Sequence, residues 1–259
     1  MSGPLAVHSL VEGPVGAPAI VFSHSLGATL ATWEPQAAAL ADRFTVVRYD
    51  LRGHGQSPVV PGPYSIADLG GDLVALLDRL GLERAHLVGI SLGAMVSLWV
   101  AAHHPTRVAA LAVCCTAARL GPPASWYERI AVVEARGTIA IADVVLERWF
   151  TADFRARHPE RIAELRALFG ATPAAGYAGC CAAIAEMDLR ADLAAIRAPT
   201  LAVAAAADPS TPPDRLREIS DAVPGARLAL VDDAAHLANL EQPAIVTALL
   251  RRHFEENPA

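Results

Sequence analysis

The sequence predicts an α/β protein: a mostly parallel central sheet with helices on both faces and an inserted all-helical lid. Three observations carry this prediction. Short runs rich in Val, Ile and Leu alternate with longer helical patterns, as strands buried on both faces by crossover helices require. Between residues 120 and 190 the alternation stops and only helical patterns follow one another. The length of 259 residues suits one large core carrying an insertion. The expected organisation is therefore a core over 1–119 and 191–259 and a helical lid over 120–190.

The strand runs are, in order, residues 5–10, 19–23, 45–49, 86–90, 109–114, 200–205 and 227–231. The first two are joined by the Gly/Pro-rich EGPVGAP, which predicts an antiparallel hairpin at one sheet edge. Residues 65–80 read as a helix opened by Ser65 and Asp68 at capping-box spacing, and residues 243–254 as the closing helix. In the insertion, amphipathic patterns centre on Ile130, 141–150, 161–169 and 179–187. A helical block of this length between two strands is most economically a lid over a site.

Composition excludes several classes of function. Lys+Arg number 21 against Asp+Glu 27, a net charge of -6 with no basic run, which is not the footprint of a nucleic-acid or anionic-membrane binder. No apolar run approaches a membrane span and the N-terminus lacks a charged segment followed by a long apolar one, so a soluble, cytoplasmic protein is expected. The 4 cysteines fall as Cys114–Cys115 and Cys180–Cys181, without CxxC or zinc-type pairing with histidine, and read as buried reduced thiols. No HExxH or comparable ligand spacing occurs, so neither a metal nor a cofactor is expected.

The sharpest chemical signal is Gly89-Ile90-Ser91-Leu92-Gly93, after the strand AHLVGI and before the helix LGAMVSLWVAAHH. A serine on so tight a turn needs small neighbours two residues away on each side, and its hydroxyl then stands at a helix N-terminus where N–H groups can hold an oxyanion. Serine is a weak nucleophile without a base and an orienting acid. Asp208 follows the strand TLAVAAAA, and His236 follows the last strand, giving the order Ser, acid, His. Asp232 and Asp233 compete for the acid role from the histidine's own loop. The remaining histidines read as turn (His54), helix-end (His103, His104) and surface or strand-edge (His8, His86, His158, His253) positions. The small-residue turn after 19–23 points the backbone N–H of Leu26, with that of Leu92, at the oxyanion, and Ser25 at the substrate. The turn DLRGHGQS reads as scaffold.

Across its whole length the chain resembles the α/β-hydrolase superfamily, through FSHSLGATLATWEPQ, RYDLRGHGQS, GPYSIADLGGDLVALLDRLG, RAHLVGISLGAM, IRAPTLAVAAAADPSTPP and AAHLANLEQP. The phrases ERWFTADF and ATPAAGYAGCCAAIAEMDLR are more specific and resemble the 3-oxoadipate enol-lactonases of bacterial aromatic degradation. The resemblance implies a serine hydrolase that opens a lactone ring bearing a free carboxylate, with Ser91 as nucleophile, Asp208 as acid and His236 as base. The sequence departs from the family pattern in having His24 where Asn is usual, Leu51 where Thr is usual, and no Gly in AAAADP.

A carboxylated lactone asks for one cation and an apolar wall. Trp126 and Arg129 lie three apart and share a helix face, and the resemblance extends to both, so they are expected to face a small-molecule carboxylated lactone or ester. The plainer alternative is a packing tryptophan and a solvated or ion-paired arginine. Arg148, Trp149 and Arg190 are secondary candidates. The same fold and triad also serve esterases, carbon–carbon bond hydrolases, cofactor-free haloperoxidases and ligand receptors with vestigial hydrolysis.

Overall fold

A computed structural model describes residues 3–259. Among these residues one seven-stranded sheet forms from β1 (Ser9–Glu12), β2 (Ala19–Ser23), β3 (Thr45–Tyr49), β4 (Ala85–Ile90), β5 (Val108–Cys114), β6 (Thr200–Ala205) and β7 (Arg227–Val231), in the order β1-β3-β2-β4-β5-β6-β7. All neighbours run parallel except β1 and β3. Strands β2, β4, β5 and β6 are buried at every residue, which is why they read as unbroken apolar runs.

The expected hairpin between the first two strands does not form. β1 pairs antiparallel with β3, Ser9 opposite Tyr49 and Glu12 opposite Val46, and β3 separates it from β2. Burial explains the arrangement. β2 has no residue that tolerates solvent and so lies inside the sheet, whereas three of the four β1 residues are exposed and suit an edge. An Arg48–Glu12 ion pair at 2.6 Å fastens that edge.

The helices are α1 (Glu34–Leu40), α2 (Ile66–Arg79), α3 (Leu92–His103), α4 (Pro123–Arg136), α5 (Ala142–Trp149), α6 (Ala152–Arg157), α7 (Pro159–Gly170), α8 (Ala174–Glu186), α9 (Pro213–Ala222), α10 (Ala238–Glu241) and α11 (Pro243–Glu256). Ser65 caps α2 through the reciprocal bonds that its spacing from Asp68 predicts; losing such a cap costs about 1 kcal/mol. α3 is apolar nearly all round and lies buried behind β4, β5 and β2. No single helix is long and apolar enough to cross a membrane.

Helices α4 to α8 all fall between β5 and β6. The chain leaves and re-enters the sheet side by side, through an Arg119–Asp188 bridge and the bond from the Leu189 N–H to the Ala118 carbonyl at 2.8 Å. α8 is fixed to the core by near-absence of side chain: a Cβ on Gly176 would collide with the Gly53 backbone, and one on Gly179 with the Tyr64 ring. Cys180 and Cys181 are buried on this helix, and Cys180 Sγ lies 3.9 Å from the Arg52 carbonyl. Burial pushes the Cys181 thiol up to about 12, so the pair packs and does not react.

Candidate active site

Strands β2 and β4 lie side by side with Ser23 opposite Gly89, so the loops leaving their C-terminal ends meet. The chain changes direction across the sheet here, β3 lying on one side of β2 and β4 on the other, and crevices at such switch points hold ligands. Ser91 takes φ 55° and ψ -120°, a left-handed conformation that a non-glycine residue adopts only when its surroundings enforce it. They do so here. Its N–H donates to the Cys114 carbonyl at 3.0 Å, and its carbonyl accepts from the Thr116 hydroxyl at 2.9 Å. Both flanking glycines are sterically required, since a Cβ on Gly89 would strike the Gly93 backbone and one on Gly93 the Ser23 carbonyl.

The candidate acid and base, Asp208 and His236, come from the loops after β6 and β7. His236 Nδ1 is 2.8 Å from Asp208 Oδ2, with the two residues 4% and 3% exposed. Asp208 also accepts from the Thr211 hydroxyl at 2.6 Å, the Thr211 N–H at 3.0 Å and the Ser210 N–H at 2.8 Å. Burial alone works to raise the carboxyl, but the His236 ring and the Thr211 donors outweigh it and hold Asp208 below its usual value. The geometry leaves Nε2 as the ring nitrogen free to face a hydroxyl. Asp232 and Asp233, the competing acids, are exposed and bond to neither.

Ser25, Leu26, Ser91, Trp126, Arg129 and His236 line one cavity of about 250 Å³. That is below the range of about 300–1,000 Å³ usual for drug-sized ligands, so the occupant is small. Leu92 stands behind the wall as the first residue of α3, where its N–H has no intrahelical acceptor. The Leu26 N–H likewise makes no backbone bond among the described residues. Trp126 donates its indole N–H to the Leu120 carbonyl at 3.0 Å, and the Arg129 guanidinium lies 5.0 Å from the centre of the Trp126 ring. Arg129 reaches the Tyr177 hydroxyl at 3.4 Å and has no carboxylate partner among the described residues. Arg148 and Trp149, ranked second in the sequence, line the same cavity, whereas Arg190 is ion-paired with Asp188 at 2.6 Å.

Several contributors escape sequence reasoning. Tyr177 lines the cavity from α8 but in the sequence is one more apolar position of a buried helix. Thr211 is a plain loop residue until the fold sets it on Asp208. His54 read as a turn residue and His24 as a neighbour of the oxyanion loop; both are fully buried. His24 Nε2 accepts from the Leu51 N–H at 2.9 Å while Nδ1 donates to the Ser25 carbonyl at 2.7 Å. His54 Nε2 accepts from the Gly27 N–H at 2.9 Å, with Nδ1 3.2 Å from the Arg52 carbonyl. Each ring is thus neutral with its proton on Nδ1, and together they tie residues 25–27 to the turn after β3. His86 and His253, read as surface or strand-edge, are also buried.

Among the described residues no group of three or more His, Cys, Asp or Glu side chains is placed to hold a metal ion. The family model described as alpha/beta hydrolase fold matches residues 18–243. The chain belongs to the α/β-hydrolase family. This hydrolase is 38% identical over 239 residues, 92% of its own chain and 89% of the relative, to 3-oxoadipate enol-lactonase 2 of Acinetobacter baylyi. Among solved structures it is similar to the enol-lactonase from Burkholderia xenovorans LB400, with a TM-score of 0.94, 40% identity and 96% of each chain covered. It is also similar to a malate-bound thermophilic esterase from Thermogutta terrifontis, with a TM-score of 0.92 and 29% identity over 98% of this chain and 94% of that one. The likeness to enol-lactonases read from the sequence is borne out, and the hydrolase is an ester-hydrolysing enzyme.

Proposed function

We propose that this hydrolase opens the ring of 3-oxoadipate enol-lactone to 3-oxoadipate, in bacterial aromatic catabolism, through an acyl-enzyme on Ser91. The observation that carries this reading is the cavity itself: Ser91 and His236 share about 250 Å³ with Arg129, a cation lacking any carboxylate partner among the described residues. Such a cation suits a substrate that brings its own carboxylate. Exposed Arg148, also without an ion pair among the described residues, adds to the positive field.

His236 takes the Ser91 proton on Nε2, and Oγ attacks the lactone carbonyl carbon. Asp208 holds the ring in the required tautomer and stabilises the imidazolium. The N–H groups of Leu26 and Leu92 receive the oxyanion. Collapse breaks the bond to the ring oxygen, which leaves as an enolate, takes the proton from His236 and ends as the ketone. Water, deprotonated by His236, then attacks the ester carbonyl and releases Ser91 and a second carboxylate. Helices α4 to α8 act as a lid in this scheme, supplying Trp126, Arg129 and Trp149 to the cavity and excluding bulk water.

Ser91→Ala is expected to lower kcat by several orders of magnitude, roughly 10⁴-fold or more if the triad acts as a unit, as steady-state assay on the enol-lactone would read. Turnover near that of the parent enzyme would refute the nucleophile. Arg129→Ala is expected to raise KM about 10- to 100-fold for the carboxylated lactone and to spare p-nitrophenyl acetate. Equal losses on both substrates would remove the carboxylate contact, and turnover of the neutral ester alone by the parent enzyme would make it a general esterase.

A further inference from the structure

The loop that carries His236 is tied at two points to the segment between β5 and β6, once through Glu241 at the end of α10 and once directly. On one side the Ala235 N–H donates to Glu241 Oε2 at 2.9 Å. The other oxygen of that carboxylate, Oε1, accepts from the Thr151 N–H at 3.2 Å and from the Thr151 hydroxyl. On the other side the Leu237 N–H donates to the Trp149 carbonyl at 3.0 Å. Residues 149–151 form the corner between α5 and α6, and the side chains of Arg148 and Trp149 line the cavity. The neighbours of His236 in the chain are therefore both tied to the corner that builds one wall of the site, Leu237 directly and Ala235 through the Glu241 carboxylate.

Glu241 is 8% exposed and has no Arg, Lys or His partner among the described residues; its lone pairs are taken by N–H and O–H donors alone. A buried carboxylate without a counter-ion is costly, and it is tolerated here because both of its oxygens meet donors, which an amide with its N–H₂ end could not match. The second tie of the loop runs to the acid: the Ala207 N–H, next to Asp208, donates to the Ala234 carbonyl at 3.0 Å. The His236 loop is thus registered to the Asp208 loop by this backbone bond, beside the side-chain bond between the two residues, and to the cavity wall through Glu241 and Leu237.

We propose that Glu241 is a positioning residue that sets His236 against the α5–α6 corner, so that base and substrate wall are aligned as one unit. The proposal rests on His236 being the base. Its effect belongs in kcat, because a misaligned base leaves substrate binding intact, and displacements of about 1 Å can cost around 10²-fold.

The test compares Glu241→Gln, Thr151→Val, their combination and Thr151→Ser, with p-nitrophenyl acetate as a neutral probe and thermal melts on each protein. Glu241→Gln puts an N–H₂ donor against a donor, and Thr151→Val removes the hydroxyl from the far end of the same link. Each is expected to lower kcat roughly 10-fold or more with KM within about 2-fold, the combination to lose no more than the worse single change, and Thr151→Ser to regain most of the loss. A folded Glu241→Gln protein with kcat within about 2-fold of the parent overturns the proposal, as do losses that multiply in the combination. Should Glu241→Gln fail to fold, Thr151→Val against Thr151→Ser decides by the same criterion. His236→Ala separates the two readings: if it keeps near-normal turnover, the base assignment falls, whereas a dead His236→Ala beside an unaffected Glu241→Gln removes only the positioning role.

Discussion

Two buried histidines in this hydrolase, His24 and His54, illustrate how a residue's role follows from what its two nitrogens meet. They spend both nitrogens on backbone groups of residues 25–27 and of the turn after β3, and their rings lie 5.4 Å apart. Burial, with His24 close by, lowers His54 to about 3, and burial lowers His24 against the opposing pull of Asp50 and the Ser25 carbonyl. The shifts run in the same direction as the geometry, in which Nε2 of each ring accepts a backbone N–H. His54→Ala frees the Gly27 N–H and loosens residues 25–27; it is expected to reduce kcat about 10-fold or more while leaving KM for a neutral ester nearly unchanged, and an unaltered kcat would deny the loop this support. The placement of the candidate residues Ser91, Asp208 and His236 was legible in the sequence because each follows a strand end with a distinctive spacing. His54, Thr211 and Tyr177 were not, since the partners that give them a role are brought together by the sheet and by α8 rather than by local pattern.

Element by element, the alternating runs identified six strands to within one residue, but β1 lies at Ser9–Glu12 and not at 5–10, and its place in the sheet also differs from the expected one. A Gly/Pro turn between two short strands predicts a hairpin whenever both strands suit an edge, and only the complete burial of β2 rules that out. The stretch GYAGCC shows the converse. Its cysteines are buried, as their spacing predicts, and its glycines form the small face on which α8 meets the turn after β3. Gly53 is doubly constrained there, with φ +75° and Gly176 against the space its Cβ would need. Gly53→Ala and Gly176→Ala are each expected to destabilise the protein by about 1–3 kcal/mol in urea titrations, and Gly53→Ala the more, because it also forces alanine into the left-handed region. Stability within about 0.5 kcal/mol of the parent in either variant would mean that α8 can slide away without cost.

Over the whole molecule, burying histidines as neutral rings makes stability depend on acid. An unfolded histidine takes up its proton near 6.5, whereas His86 holds out to about 4 and His54 to about 3, burial being the main cause in both. The folded state therefore binds fewer protons than the unfolded one between these values, and stability falls as pH drops from about 6.5 and levels off below the folded values, by up to about 1.4 kcal/mol per pH unit for each such group. His86 is the cleanest probe, since it lies 4.6 Å from the Phe254 ring with neither nitrogen hydrogen-bonded. His86→Leu should lose less stability between pH 7.5 and pH 5 than the parent does, as denaturant titrations at the two values would show; an identical loss would place the acid sensitivity elsewhere. The contact between Gly53 and Gly176 reaches further than stability. The two residues sit 123 positions apart, one in the turn after β3 and one on α8, yet neither can grow without the other yielding. Chimaeras that exchange residues 120–190 between hydrolases of this family would therefore be compatible only in matched pairs, and recombination within the gene would be filtered at this one spot before substrate preference came into play.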